Sequence, residues 1–110
     1  VMTARCGRST YVTDFFNGRI VRVNPRGKTR IVAEDEKYRG ADGVALDRRG
    51  RLYVSSFESG QVFQLSRSGQ ESRLLVDLAR NGAADLMYDA KTNSILLAST
   101  TRGSLVTIPL

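Results

Sequence analysis

Tyr11-Val12-Thr13-Asp14-Phe15 and Tyr53-Val54-Ser55-Ser56-Phe57 are two versions of one segment, 42 residues apart. The match continues outward from both. Gly18 falls on Gly60, Ile20 on Val62, Val23 on Leu65 and Gly27 on Gly69. A third, weaker copy starts near Asp85: Leu97-Ala98-Ser99 falls on Val54-Ser55-Ser56, and Gly103 on Gly60 with one extra residue. A period of this size marks a repeat architecture, in which one supersecondary unit recurs and neighbouring units bury each other.

Each copy is rich in short β-branched and aromatic runs, bounded by Gly, Asn and Asp. In the first copy these runs predict strands at Thr10–Thr13, Arg19–Val23 and Thr29–Ala33. In the second they predict Val44–Leu46, Leu52–Ser55, Gln61–Leu65 and Ser72–Val76. In the third they predict Leu86–Tyr88, Ser94–Ala98 and Ser104–Ile108. Asn17-Gly18, Ser59-Gly60 and Arg102-Gly103 mark one corner of each copy, and Arg26-Gly27 and Ser68-Gly69 the next. Glycine supplies the positive φ that such tight turns need. Asp47-Arg48-Arg49-Gly50 and Asp89–Asn93 form a third corner, where both aspartates read as turn residues, as does Asp14. The longer stretches Glu34–Gly40 and Asp77–Ala84 read as crossings from one unit to the next.

The fold class is therefore all-β: a β-propeller fragment of about two and a half four-stranded antiparallel blades. The blades run over about 1–38, 39–80 and 81–110. A closed propeller has about four to eight blades. Covering the end faces is thus expected to take the remaining blades of a longer protein, upstream of Val1, or another copy of the chain. Val1–Arg8 reads as a remnant of an innermost strand. The chain stops after a third strand, which fits a scheme where an N-terminal strand completes the last blade. The edge at Ser104–Ile108 is expected to favour association.

Composition excludes several chemistries. The 110 residues contain no histidine and one cysteine, Cys6. There is thus no Ser-His-Asp triad, no Cys-His pair and no zinc site of ordinary type. Cys6 cannot form an internal disulfide and reads as a small, partly buried residue. Cysteine usage singles out neither a cytoplasmic nor a secreted location. No run is long and apolar enough to span a membrane. The net charge of +6 favours anionic partners. Arg19, Arg22, Arg26, Lys28 and Arg30 form one basic cluster, and Arg48, Arg49 and Arg51 another. They read as solvated turns and strand edges, or as a surface for nucleic acid or acidic glycans. No aromatic is spaced among them to stack bases.

The second copy runs Ala41-Asp42-Gly43-Val44-Ala45-Leu46-Asp47, a turn at Gly50, Leu52-Tyr53-Val54-Ser55-Ser56, then Gly60-Gln61-Val62-Phe63. This resembles the blades of six-bladed propellers in the gluconolactonase/regucalcin (senescence marker protein) family, and more broadly the blades of NHL-repeat propellers. The stretch from Gly82 to Leu110 is similar to the C-terminal blade of gluconolactonase-like proteins. The resemblance implies a divalent metal, usually calcium, held in the central channel by side-chain oxygens from several blades. It implies a metal-dependent lactonase or related hydrolase acting on a small-molecule substrate. Asp42 matches the signature aspartate, with Ala41 in place of the usual proline. Asp85 is its repeat equivalent after a one-residue shift, and both are candidate metal ligands. Both also read as caps of the blade crossings, bonding backbone N–H groups. The remaining ligands would lie in other blades, so the isolated chain is expected to be inactive. The alternative is a non-catalytic NHL-type scaffold binding a protein, glycan or nucleic acid. The absence of histidine counts against the paraoxonase and streptogramin-lyase propellers, which rely on it.

Overall fold

The computed structural model describes the backbone of residues 3–6 and, with side chains, residues 9–100 and 103–110. The Cys6 side chain and Arg102 lie outside the described residues. The described chain is all-β, in three antiparallel sheets. Four strands make blade 1, namely β1 (Thr3–Cys6), β2 (Ser9–Asp14), β3 (Arg19–Val23) and β4 (Thr29–Glu34). Blade 2 holds β5 (Ala41–Leu46), β6 (Leu52–Ser56), β7 (Gln61–Leu65) and β8 (Ser72–Asp77). Blade 3 holds β9 (Leu86–Asp89), β10 (Ser94–Ser99) and β11 (Ser104–Pro109). Each sheet is a meander in which chain order is spatial order. The first strands β1, β5 and β9 pack side by side along one axis. A single 3-10 turn at Glu36–Tyr38 interrupts the first crossing.

The repeat extends to irregularities. The β3–β4 ladder slips one residue between Ile20 and Val21, and the β7–β8 ladder slips between Val62 and Phe63, the same place in the unit. Such bulges increase twist and let an outer strand bend around its neighbour.

Burial follows from stacking. Along β2 residues alternate buried and half-buried, as one face packs and the other does not. Along β6 all five residues are buried, because blade 2 lies between two others. Val44, Leu52, Val54, Phe63 and Leu65 of blade 2 pack against Tyr11 and Ile20 of blade 1. Ala45, Tyr53 and Val62 use the other face to pack against Leu86, Ile95 and Leu97 of blade 3. Each large side chain so buried contributes about 1.5–3 kcal/mol. Tyr38 of the crossing adds to the first interface, its ring edge-on to Phe63 at 5.4 Å between centroids.

The crossings are locked by glycine. Gly18 and Gly60 end the β2–β3 and β6–β7 hairpins with φ of +64° and +76°. Their carbonyls accept from Asp35 N and Leu78 N in the following crossings, at 3.1 and 2.8 Å. A side chain has no room there: a Cβ on Gly60 would lie 1.6 Å from the Ala79 carbonyl oxygen.

Two faces remain uncovered among the described residues. On blade 3, Met87, Leu96 and Leu105 stand at the repeat positions of Ala45, Tyr53 and Val62. Met87 and Leu105 are 57% and 72% exposed. On blade 1, Val12, Val21 and Val23 take the positions of Val54, Phe63 and Leu65. No described strand pairs with the outer edge of β11.

Candidate functional site

Strand β5 begins earlier than the Val44 start expected from sequence. Ala41 pairs with Ser56 and Gly43 with Ser55, so Asp42 is the extra residue of a bulge. A bulge re-aims the side chain it carries. Asp42 is half-buried, and among the described residues no hydrogen bond or ion pair reaches its carboxylate.

The following residue explains why blade 3 comes close. Gly43 N donates to Ser55 Oγ at 3.0 Å. The Ser55 hydroxyl in turn donates to the Ala84 carbonyl, tying blade 2 to the strand entry of blade 3. A Cβ on Gly43 would lie 2.8 Å from Leu86 N and 3.1 Å from Asp85 Oδ1. Glycine is the residue that admits this approach. Asp85 thus lies beside the strand that carries Asp42, at the same end of the axis. Its own ladder partner is Ala98, with Ala98 N donating to Asp85 O at 2.9 Å. That register places Asp85 at the repeat position of Gly43, one residue beyond Asp42. Asp85 is exposed, and its Oδ1 accepts from Leu86 N at 2.8 Å, a backbone-capping contact.

Calcium takes about six to eight oxygen ligands. Asp42 offers carboxylate oxygens from inner strand β5 and Asp85 from the residue before β9, and among the described residues neither Asp42 oxygen is engaged. The described residues contain no group of three His, Cys, Asp or Glu that would hold a metal alone. The two aspartates alone therefore do not make up a calcium coordination shell.

Asp47 does more than the turn role read from sequence. Its side chain is only 2% exposed. Oδ1 accepts from Arg49 N at 2.8 Å and Arg51 N at 3.0 Å. Oδ2 accepts from Arg51 Nε and from the Tyr53 hydroxyl, both at 2.7 Å. Gln64 Nε2 donates to the same Tyr53 oxygen at 2.8 Å. Burial raises the Asp47 pKa, but the bonds from Tyr53 and Arg51 outweigh it, and the carboxyl sits below its ordinary value. Because the folded pKa is lower than the unfolded one, the stabilisation is present at neutral pH and is lost as pH falls through the folded value. Asp47→Asn is therefore expected to flatten the loss of stability below about pH 4. Urea midpoints at neutral and acid pH measure this; the same acid decline in both proteins would take Asp47 out of the account.

Charge is sorted between the two ends of the strands. One end, the link face, carries the crossings and the β2–β3 and β6–β7 hairpins. There lie Asp14, Glu34, Asp35 and Glu36 of blade 1 and its crossing, Asp42, Glu58 and Asp77 of blade 2, and Asp85. Four described cations, Arg19, Lys37, Arg39 and Arg80, share that face. The opposite, far face carries the β3–β4, β5–β6, β7–β8 and β9–β10 turns. It holds Arg22, Arg26, Lys28 and Arg30 in blade 1, Arg48, Arg49, Arg51, Arg67 and Arg73 in blade 2, and Lys91 in blade 3. Only Asp47, Glu71 and Asp89 oppose them. Apart from Arg19, the two basic clusters of the sequence share the far face, which chain order alone does not show. The signal was present, because successive turns of a meander alternate between the two ends.

Scans against family models and curated proteins return no match. Solved structures do match. An auxiliary nutrient binding protein from Bacteroides thetaiotaomicron aligns with a TM-score of 0.72 at 15% identity, over 91% of this chain and 25% of that one. The calcium-binding protein regucalcin from Agrobacterium tumefaciens aligns with a TM-score of 0.69 at 17% identity, over 87% of this chain and 36% of that one. Virginiamycin B lyase from Staphylococcus aureus aligns with a TM-score of 0.65 at 14% identity, over 93% and 38%. The chain spans less than half the length of each. At these identities the likeness shows the fold: the three sheets are β-propeller blades, similar to those of regucalcin. No helix among the described residues is long and apolar enough to cross a membrane.

Proposed function

We propose that these blades form part of a regucalcin-like, six-bladed propeller whose axial mouth holds a divalent cation, calcium by preference, and hydrolyses a small lactone-like substrate. The observation behind this reading is the Asp42 carboxylate on a bulge of an inner strand, without a partner among the described residues, with Asp85 beside that strand on an acidic face. Such a field concentrates cations at the mouth. Hard carboxylate oxygens suit calcium, and other blades would supply the rest of the shell. The uncovered faces of blades 1 and 3 accept those blades, from a longer protein or a second copy. When bound, the metal would polarise a substrate carbonyl. Asp42 and Asp85 bind and orient the ion, and Gly43 and Ser55 fix the distance between their strands.

Calcium titration of the isotope-labelled chain tests this. The amides of Asp42, Gly43 and Leu86 are expected to shift, and Asp42→Asn to weaken the effect about tenfold, as loss of one charged ligand implies. An unchanged titration in Asp42→Asn would remove the metal reading. A second reading, an NHL-type binding scaffold without catalysis, is favoured by the far face, where ten cations meet three carboxylates among the described residues.

A further inference from the structure

We propose that a cleft on the far face, at the junction of blades 2 and 3, binds a phosphate group. The β5–β6 turn supplies Arg48, Arg49 and Arg51, and the β9–β10 hairpin supplies Tyr88 and Asn93. The cleft is open to solvent and has a volume of about 380 Å³. This site lies at the opposite end of the strands from Asp42 and Asp85 and does not depend on the metal reading.

The turn is built to present its arginines. Asp47 lies buried beneath it and uses both oxygens to hold Arg49 N, Arg51 N, Arg51 Nε and the Tyr53 hydroxyl. The one side-chain carboxylate of the cleft, which Leu110 also lines, is thereby saturated, and its charge is matched by Arg51. Arg48 donates across the junction to the Ala90 carbonyl, joining the two walls. Arg49 is exposed, and among the described residues its guanidinium has no hydrogen bond or ion pair. Opposite it, the Tyr88 hydroxyl donates to Asn93 Oδ1 at 2.8 Å and Asn93 Nδ2 donates to the Leu110 carbonyl at 3.5 Å, so that wall is held by bonds of its own. Three guanidiniums facing one engaged carboxylate leave an excess of positive charge.

Arginine forks match tetrahedral oxyanions by paired N–H bonds, and phosphate gains most from a site with surplus charge. The rest of the far face repels cations and gathers anions towards this cleft. No exposed large apolar side chain lies in the far-face turns, so a lipid surface finds no anchor there.

Two sources share this chemistry, a small phosphorylated molecule and the backbone of a nucleic acid. Inorganic phosphate and a short DNA duplex are the probes, followed through the arginine Nε–H resonances of the full chain. Phosphate is expected to shift Arg48, Arg49 and Arg51 saturably. Arg49→Gln is expected to weaken it about tenfold, the loss of one charge-assisted contact. Arg26→Gln in blade 1 should leave it unchanged. If the duplex also shifts Arg49, binds more tightly than phosphate and loses affinity steeply with salt, the source is nucleic acid. If phosphate alone does so, the source is a small ligand. Equal shifts at all arginines, an unaltered Arg49→Gln titration, or binding confined to a sulfated glycan would overturn the proposal.

Discussion

Gly60→Ala is expected to destabilise the chain by about 3 kcal/mol or more, while Gly103→Ala, at the matching corner of blade 3, costs only about 1 kcal/mol. Both glycines have positive φ, +76° and +61°. Both substitutions therefore carry the penalty of a left-handed backbone. They differ in what the new methyl meets. At Gly60 it would collide with the Ala79 backbone at 1.6 Å, whereas among the described residues nothing lies within 4 Å at Gly103. The colliding atom is backbone and cannot swing aside, and the crossing at 78–84 would have to detach from the hairpin. That crossing leads to Asp85, so the damage reaches the axial mouth. Urea denaturation of both variants measures the difference. Equal losses would mean that the crossing yields freely and does not fix the blade spacing.

Tyr53 carries the second large effect. It is fully buried, packs in the blade 2–3 core and donates to Asp47. Tyr53→Ala is expected to cost about 4 kcal/mol, since it opens a large cavity and leaves a buried carboxylate short of a donor. Tyr53→Phe keeps the ring and loses the hydroxyl, so about 1–2 kcal/mol is expected. The gap between the two separates packing from the polar network. If Tyr53→Phe were as damaging as Tyr53→Ala, hydrogen bonding would dominate and the packing account would fail.

Tyr53 also shows what sequence could reveal. Its place on a strand was legible, because it recurs 42 residues after Tyr11 in an alternating run. Its bond to Asp47 was not: turn aspartates usually serve only local N–H groups, and here one oxygen reaches the neighbouring strand inside a core closed by blade 3. Strand ends erred where bulges intervene. Ala41-Asp42-Gly43 has the composition of a turn, yet the bulge lets β5 start at Ala41 and carry Asp42 within it. Thr3–Cys6, read as a remnant, pairs along all four residues with β2. The signature singled out Asp42 but not the bulge that carries it. Its proximity to Asp85 needed Gly43, whose missing side chain lets the two inner strands touch. The sorting of charge was hidden by chain order, since Glu34-Asp35-Glu36 and Arg48-Arg49 lie within one short stretch yet point to opposite ends.

That sorting has a directional consequence. A molecule with most of its described cations at one end and most of its carboxylates at the other does not approach a negatively charged support at random. It rotates first, then lands on its arginines. Held that way, it keeps the link face turned outward. That posture is set by the parity of hairpin turns.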